Sequence, residues 1–143
     1  MSSKYNDIPF SPKASDRGQS FDDMMMGSVE VMVRIGGYIM LFSILAVFIR
    51  QIPGIPGELK AVFLGIVEIT TGIQAIGKNI SGYLQGFCLT AVIAFGGLSG
   101  VFQTKSVLKN AGLSIRHYIL WKLAHTACSC LIYLALAVLA NLP

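Results

Sequence analysis

Glu68, Thr70, Thr71, Gly72 and Gln74 stand in GIVEITTGIQ (65–74), a stretch that is otherwise apolar and lies between apolar runs. An acid is costly in such surroundings. On insertion scales Asp at the centre of a membrane helix costs about 2.5–3.5 kcal/mol. Glu68 must therefore face protein, a partner charge or a water-filled cavity. Thr70-Thr71-Gly72 is poor material for a helix interior, and a break there would free backbone amides and carbonyls. At membrane depth such groups are tolerated only where they are buried in protein or line a cavity. Helix ends placed that way are ready sites for polar or ionic ligands. A carboxylate at a helix end beside two threonines, a glycine and an amide is what a transporter-like midplane site requires. The competing use of the same residues is structural: Glu68 hydrogen-bonds across the bundle and pins a hairpin.

A second set has the same logic. In AFGGLSGVFQT (94–104), Gly96 and Gly97 let another backbone approach closely, while Ser99 and Gln103 supply polar side chains. The alternative is plain packing of small residues between helices. His125, inside the last apolar run, could pair with Glu68 or relay protons; satisfaction by a backbone carbonyl is the simpler expectation. Cys88, Cys128 and Cys130 read as buried thiols acting as small hydrophobes, since the spacing of the last two is not that of a CxxC motif. No nucleophile triad, metal-ligand cluster or phosphate loop is present in a suitable context. No cofactor is implied, and the chain does not read as an enzyme.

The elements that must position these residues are membrane elements. Of 143 residues 54% are hydrophobic and 13% charged, against about 25% charged in soluble domains. Uncharged runs cover 35–49, 79–104 and 123–143, and a helical span needs about 20 mainly apolar residues. The expected fold is an all-α membrane protein, with the bilayer as its first partner. A polar tail covers 1–19, and no apolar core makes it a signal peptide. Ser20 and Asp23 give a capping-box pattern, and 20–34 reads as an amphipathic helix. A membrane helix follows at 35–51, where Gly36-Gly37 marks a bend or a close helix contact. The two Pro-Gly pairs of IPGIPG (52–57) force a turn. Residues 57–82 are either a re-entrant hairpin, with its tip at 70–72, or one full span. A broken membrane helix at 84–103 and a last one at 114–142 complete the set, for about three transmembrane helices plus the hairpin.

Charge chooses between the readings of 57–82. Lys105, Lys109 and Arg116 form a basic loop without an acid, with Lys122 close behind. Such a loop should be cytoplasmic, as should the tail. Tail and loop share a side only if 57–82 folds back on itself, so the hairpin is favoured, with the N-terminus cytoplasmic in the cell membrane. His117, Tyr118, Trp121 and Lys122 read as an interfacial belt. The net charge of +4 forms no clustered basic face, so a nucleic-acid partner is not expected.

In order and spacing, EITTGIQ (68–74), AFGGLSGVFQT (94–104) and LSIRHYILWKLAH (113–125) resemble the nucleoside-recognition, or Gate, domain of membrane proteins. The likeness is greatest to the C-terminal half of sporulation integral membrane proteins of the YlbJ type, and IGGYIMLFSIL (35–45) is similar to that family's lead-in helix. The resemblance implies a Gate-type half repeat built of hairpins and broken helices. In it Glu68, Thr70 and Gly72 lie at a hairpin tip, and Gly96, Gly97, Ser99 and Gln103 on the facing broken helix. It also implies a half-transporter for a small polar solute or ion. Relatives usually carry two halves, so this chain should pair with itself, as a homodimer or higher oligomer, or with a second half-domain protein. The glycines at 36–37, 82–86 and 96–100 are candidate contacts. A non-transporting membrane scaffold and a channel-like oligomer are the rival functions.

Overall fold

The computed structural model describes residues 20–108 and 114–140. The tail expected over 1–19, Lys109 of the basic loop and the end of the last helix at 141–142 lie outside them. Every described element of regular structure is an α-helix: α1 Phe21–Gln51, α2 Gly57–Val67, α3 Ile69–Asn79, α4 Gly82–Phe95, α5 Gly97–Val107 and α6 Ile115–Leu139.

The regions expected as an amphipathic helix and a membrane helix, 20–34 and 35–51, run through without interruption as α1. No proline interrupts the 31 residues, the helix continues unbroken through Gly36-Gly37, and a Cβ at either position would meet nothing in the chain within 4 Å. Ser20 does sit at the N-cap, but its side chain makes no capping bond. Residues 21–30 are exposed on every face, so this end of α1 projects past the other helices. At the other end Pro53 and Gly54, the latter at φ 79°, turn the chain. The Lys60 ammonium fastens that turn by donating to the carbonyls of Arg50 (3.2 Å) and Ile52 (2.7 Å). A cation at a helix C-terminus is favourably placed against the unsatisfied carbonyls.

Residues 57–82 do not form one continuous rod. Helices α2 and α3, of 11 residues each, lie antiparallel. The register is visible in two glycine contacts. A Cβ on Gly57 would stand 2.8 Å from Asn79 Oδ1, and one on Gly72 would overlap the Gly65 α-carbon. The break lies at Glu68 and not at 70–72, as the sequence suggested. Glu68 adopts an extended conformation (φ −145°, ψ 121°) and caps α3 itself, which lets Thr70 and Thr71 enter the first helical turn. Gly72 is thereby released from turn duty and serves as the contact point with α2.

The next helix is also broken, at Gly96, between α4 and α5. This is the break expected within 84–103. Gly96 (φ 77°) and Gly97 (φ 70°) are both left-handed, a conformation that costs other L-residues roughly 1–2 kcal/mol. Helix α5 runs antiparallel to α1: Phe102 packs on Tyr38 and Phe42, with ring centroids 6.1 and 5.4 Å apart, and Arg34 Nη1 donates to the Ser106 carbonyl at 3.0 Å. Helix α6 packs mainly on α4, where Tyr133 presses its ring and hydroxyl against Gly86 and donates to the Tyr83 carbonyl. The buried centre is a cluster of Ala46, Ala61, Leu64, Ala75, Ile76, Ile80 and Val92, supplied by α1 to α4. Contrary to expectation, Cys128 is exposed and Cys88 and Cys130 are only half-buried. Cys128 and Cys130 lie on α6, which buries no residue fully.

Two levels of cations bracket the bundle. Arg34, beside Ser106 and paired with Glu30, marks one. Arg50, Lys60 and Lys78 mark the other, around a recess of 340 Å³ that also touches Gly57 and Asn79. Sixteen residues of α1 separate Arg34 from Arg50, a rise of about 24 Å. Three helical stretches are long and apolar enough to cross a membrane: Phe21–Gln51, Gly82–Val107 and Ile115–Leu139.

Candidate functional site

The two breaks meet. A Cβ on Gly97 would stand 3.3 Å from the Ile69 amide nitrogen and 3.5 Å from the carbonyl oxygens of Gly65 and Val67. The first residue of α5 therefore rests on the junction of α2 with α3. By helical rise the crossing lies about 12 Å along α2 from Lys60 and about 14 Å along α5 from Ser106. It is thus near the midpoint between the two cation levels.

Four helix ends converge there. The N-terminus of α3 is capped by Glu68. Its Oε1 accepts from the Thr70 amide (3.0 Å), and its Oε2 accepts from the Thr71 amide (2.7 Å) and the Thr70 hydroxyl (2.7 Å). Glu68 is only 4% exposed. A carboxylate at this position meets both the free amides and the positive end of the helix dipole. These partners are all neutral donors; among the described residues the one ion pair is Arg34 with Glu30. The C-terminus of α4 is met by a cation: Lys122 Nζ donates to the Ala94 carbonyl at 3.3 Å. The same nitrogen would lie 3.3 Å from a Cβ on Gly96. The remaining two ends face one another. The start of α5, which no side chain caps, abuts the terminal carbonyls of α2 at Gly97, so opposite ends of two helix dipoles are juxtaposed.

A polar stripe leads away from the crossing along α5. Gln103 Nε2 donates to Ser99 Oγ (2.8 Å), Ser106 Oγ donates to the Gln103 carbonyl (2.7 Å), and the Ser106 carbonyl accepts from Arg34. Ser99 and Ser106 are 3% and 4% exposed. On the other flank, between α2, α4 and α6, Gly65, Ile66, Phe87, Val92, Phe95 and Leu123 help to line an apolar cleft of 360 Å³.

The structure therefore brings Glu68, Thr70, Thr71, Gly72, Gly96, Gly97 and Ser99 to or beside one crossing, with Gln103 one turn further along. It does not bring the others. Gln74 is exposed on α3, and His125 is on the exposed side of α6, where a role beside Glu68 is not served. Sequence reasoning missed Lys122, which it assigned to an interfacial belt. The available signal was depth: Lys122 is the eighth residue of α6, about 10 Å from its start, and a lysine side chain adds reach. It also missed Ser106 and Arg34. The i, i+4, i+7 spacing of Ser99, Gln103 and Ser106 could have disclosed that stripe. Among the described residues no group of three or more His, Cys, Asp or Glu side chains is placed to hold a metal.

Comparison with protein-family models, curated proteins and solved structures gives no match. The class that the fold defines is an all-helical protein with three helices long and apolar enough to cross a membrane.

Proposed function

We propose that the protein is a multi-pass membrane half-transporter module that binds or moves a small polar solute or ion at the crossing of its two broken helices. In this reading α2 and α3 form a re-entrant hairpin. Each arm rises about 16 Å, roughly half of a 30 Å hydrocarbon core. The observation that carries the proposal is the buried Glu68 at the hairpin break, set against Gly97 at the second break. Interrupted helices meeting between the two faces of a membrane supply ligand groups that continuous spans cannot. The projecting end of α1 lies on the cytoplasmic side of the cell membrane, with Lys105 and Arg116, as the positive-inside rule requires. A second copy, or a second half-domain protein, completes the translocation path. Gly86, Gly96 and Gly97 are used within the chain, which leaves Gly36, Gly37, Gly82 and Gly100 open for that contact. The spore-formation context belongs to the proposal through the family resemblance alone.

A second reading has its own support. Among the described residues no buried side-chain nitrogen or oxygen lacks a hydrogen-bond partner, as a non-transporting membrane scaffold would need. Glu68→Gln in proteoliposomes separates the two. Flux is read with a panel of nucleosides and monovalent cations, and assembly by cross-linking in the same vesicles. Transport requires that flux falls while the assembly survives. Loss of the assembly, or absence of flux from the unaltered protein across the panel, supports the scaffold.

A further inference from the structure

We infer that Lys122 is a tethered cation occupying a position that would otherwise accept a small monovalent cation. The inference rests on the crossing being a ligand site, and it narrows the solute: with Lys122 in place, the unaltered protein takes no monovalent cation from solution at this position. Three observations converge on it. The Lys122 ammonium binds the Ala94 carbonyl, in the last turn of α4. It does so at Gly96, the residue next to the point where the carbonyls of Gly65 and Val67 approach Gly97. And Glu68, a buried carboxylate held by the neutral donors of Thr70 and Thr71, belongs to the same crossing.

Helix C-terminal carbonyls are cation ligands by chemistry: hard oxygens carrying partial negative charge. In discontinuous membrane helices, unwound carbonyls and half-helix C-termini hold monovalent ions. Here the cation is supplied by the chain. Lys122 lies half-buried on the α6 face that also carries Thr126, away from exposed His125, and Gly96 gives its amine room that any side chain would take. An ammonium held by a covalent tether needs no ion from solution. The unaltered protein should therefore be indifferent to which monovalent cation is present, and removal of the amine should create a dependence.

The test is equilibrium unfolding of the full chain in nanodiscs, read in sodium, potassium, ammonium or choline chloride at constant ionic strength. Choline is too large for the position. The unaltered protein should unfold at the same temperature in all four salts. Lys122→Met should unfold earlier in choline and recover in at least one small cation, by about 5 °C over a hundredfold range of that cation. Lys122→Arg, which keeps a cation, should show no such dependence. Glu68→Gln combined with Lys122→Met should weaken or abolish the recovery. Equal unfolding of Lys122→Met in choline and in all small cations overturns the inference. So does a Lys122→Met chain that stays unfolded in every salt, because the site then needs the tether and accepts no free ion. The readout requires no flux. If the unaltered protein transports and Lys122→Met ignores cations, this inference fails alone. If Lys122→Met binds a cation and no variant transports, the transport reading fails alone.

Discussion

Gly72 lies against Gly65 so closely that a methyl group on Gly72 would overlap the Gly65 α-carbon and crowd its amide. The obstacle is backbone, which cannot rotate away. Gly65 in turn has Val92 behind it, 2.5 Å from where a Cβ on Gly65 would stand, so α2 has nowhere to retreat. Overpacking a well-filled site costs about 1–3 kcal/mol and occasionally more. Gly72→Ala should therefore destabilise the protein by at least that much, measured by unfolding in lipid. Gly77, on the same helix with nothing within 4 Å, is the control. Gly77→Ala should be neutral or stabilising, by up to about 1 kcal/mol of helix propensity.

Glu68 combines capping with charge, and substitutions can separate them. Glu68→Gln keeps one acceptor oxygen and places an amide group against donors that now share the other, leaving one buried N–H unsatisfied. That loss costs about 1–3 kcal/mol. Glu68→Asp keeps a carboxylate and is a favoured N-cap residue, so it should retain most of the stability. Unfolding measurements should rank the unaltered protein and Glu68→Asp close together and Glu68→Gln below. A Glu68→Gln chain as stable as the original would mean that the bonds to Thr70 and Thr71 carry no weight.

Much of this arrangement was legible in the sequence, for identifiable reasons. A lone acid within an apolar run announces a break or a cavity, which pointed to Glu68. Paired glycines in a second run announced the other break. What was misjudged was local. Thr70-Thr71-Gly72 has the composition of a turn, but a capping carboxylate one residue ahead of α3 turns the threonines into first-turn residues. Gly36-Gly37 has the composition of a close helix contact, but no neighbour within the chain meets α1 there. The partner of His125 and the reach of Lys122 depend on the rotation of α6 about its axis. A helix apolar on nearly every side leaves that rotation unmarked in the sequence, so the exposed histidine and the inward-reaching lysine were exchanged.

The antiparallel register of α2 and α3 makes a topological prediction. Glu58 and Lys78 are both exposed, at the open end of the pair, and Lys105 is exposed near the end of α5. In a background lacking Cys88, Cys128 and Cys130, cysteines at 58 and 78 should react with an impermeant thiol reagent from one side of a membrane, and a cysteine at 105 from the other. Lys60 is a poor probe, because it fastens the α1 turn through Arg50 and Ile52. Labelling of 58 and 78 from opposite sides would mean that the chain crosses the membrane between them, and the re-entrant reading would be lost.

The α4–α5 break makes a sharper prediction, because two glycines three residues apart should respond with opposite signs. Gly97 is buried and left-handed at φ 70°, and a Cβ there would stand 3.3 Å from the Ile69 amide. Gly97→Ala combines a backbone penalty of about 1–2 kcal/mol with a contact that pushes α5 away from the α2–α3 junction. Gly100 lies within α5 with no neighbour within 4 Å of an added Cβ, so within a single chain Gly100→Ala gains about 0.8–1 kcal/mol of helix propensity. Unfolding in lipid at high dilution should show loss for Gly97→Ala and gain for Gly100→Ala. The same measurement at high protein-to-lipid ratio then tests the assembly. If the open face at Gly100 receives a second copy, the added methyl lowers association there while the isolated chain remains stabilised. Only a partner pressed against Gly100 can make the sign of its effect depend on concentration, whereas Gly97→Ala should be harmful at every dilution because its neighbours are in the same chain.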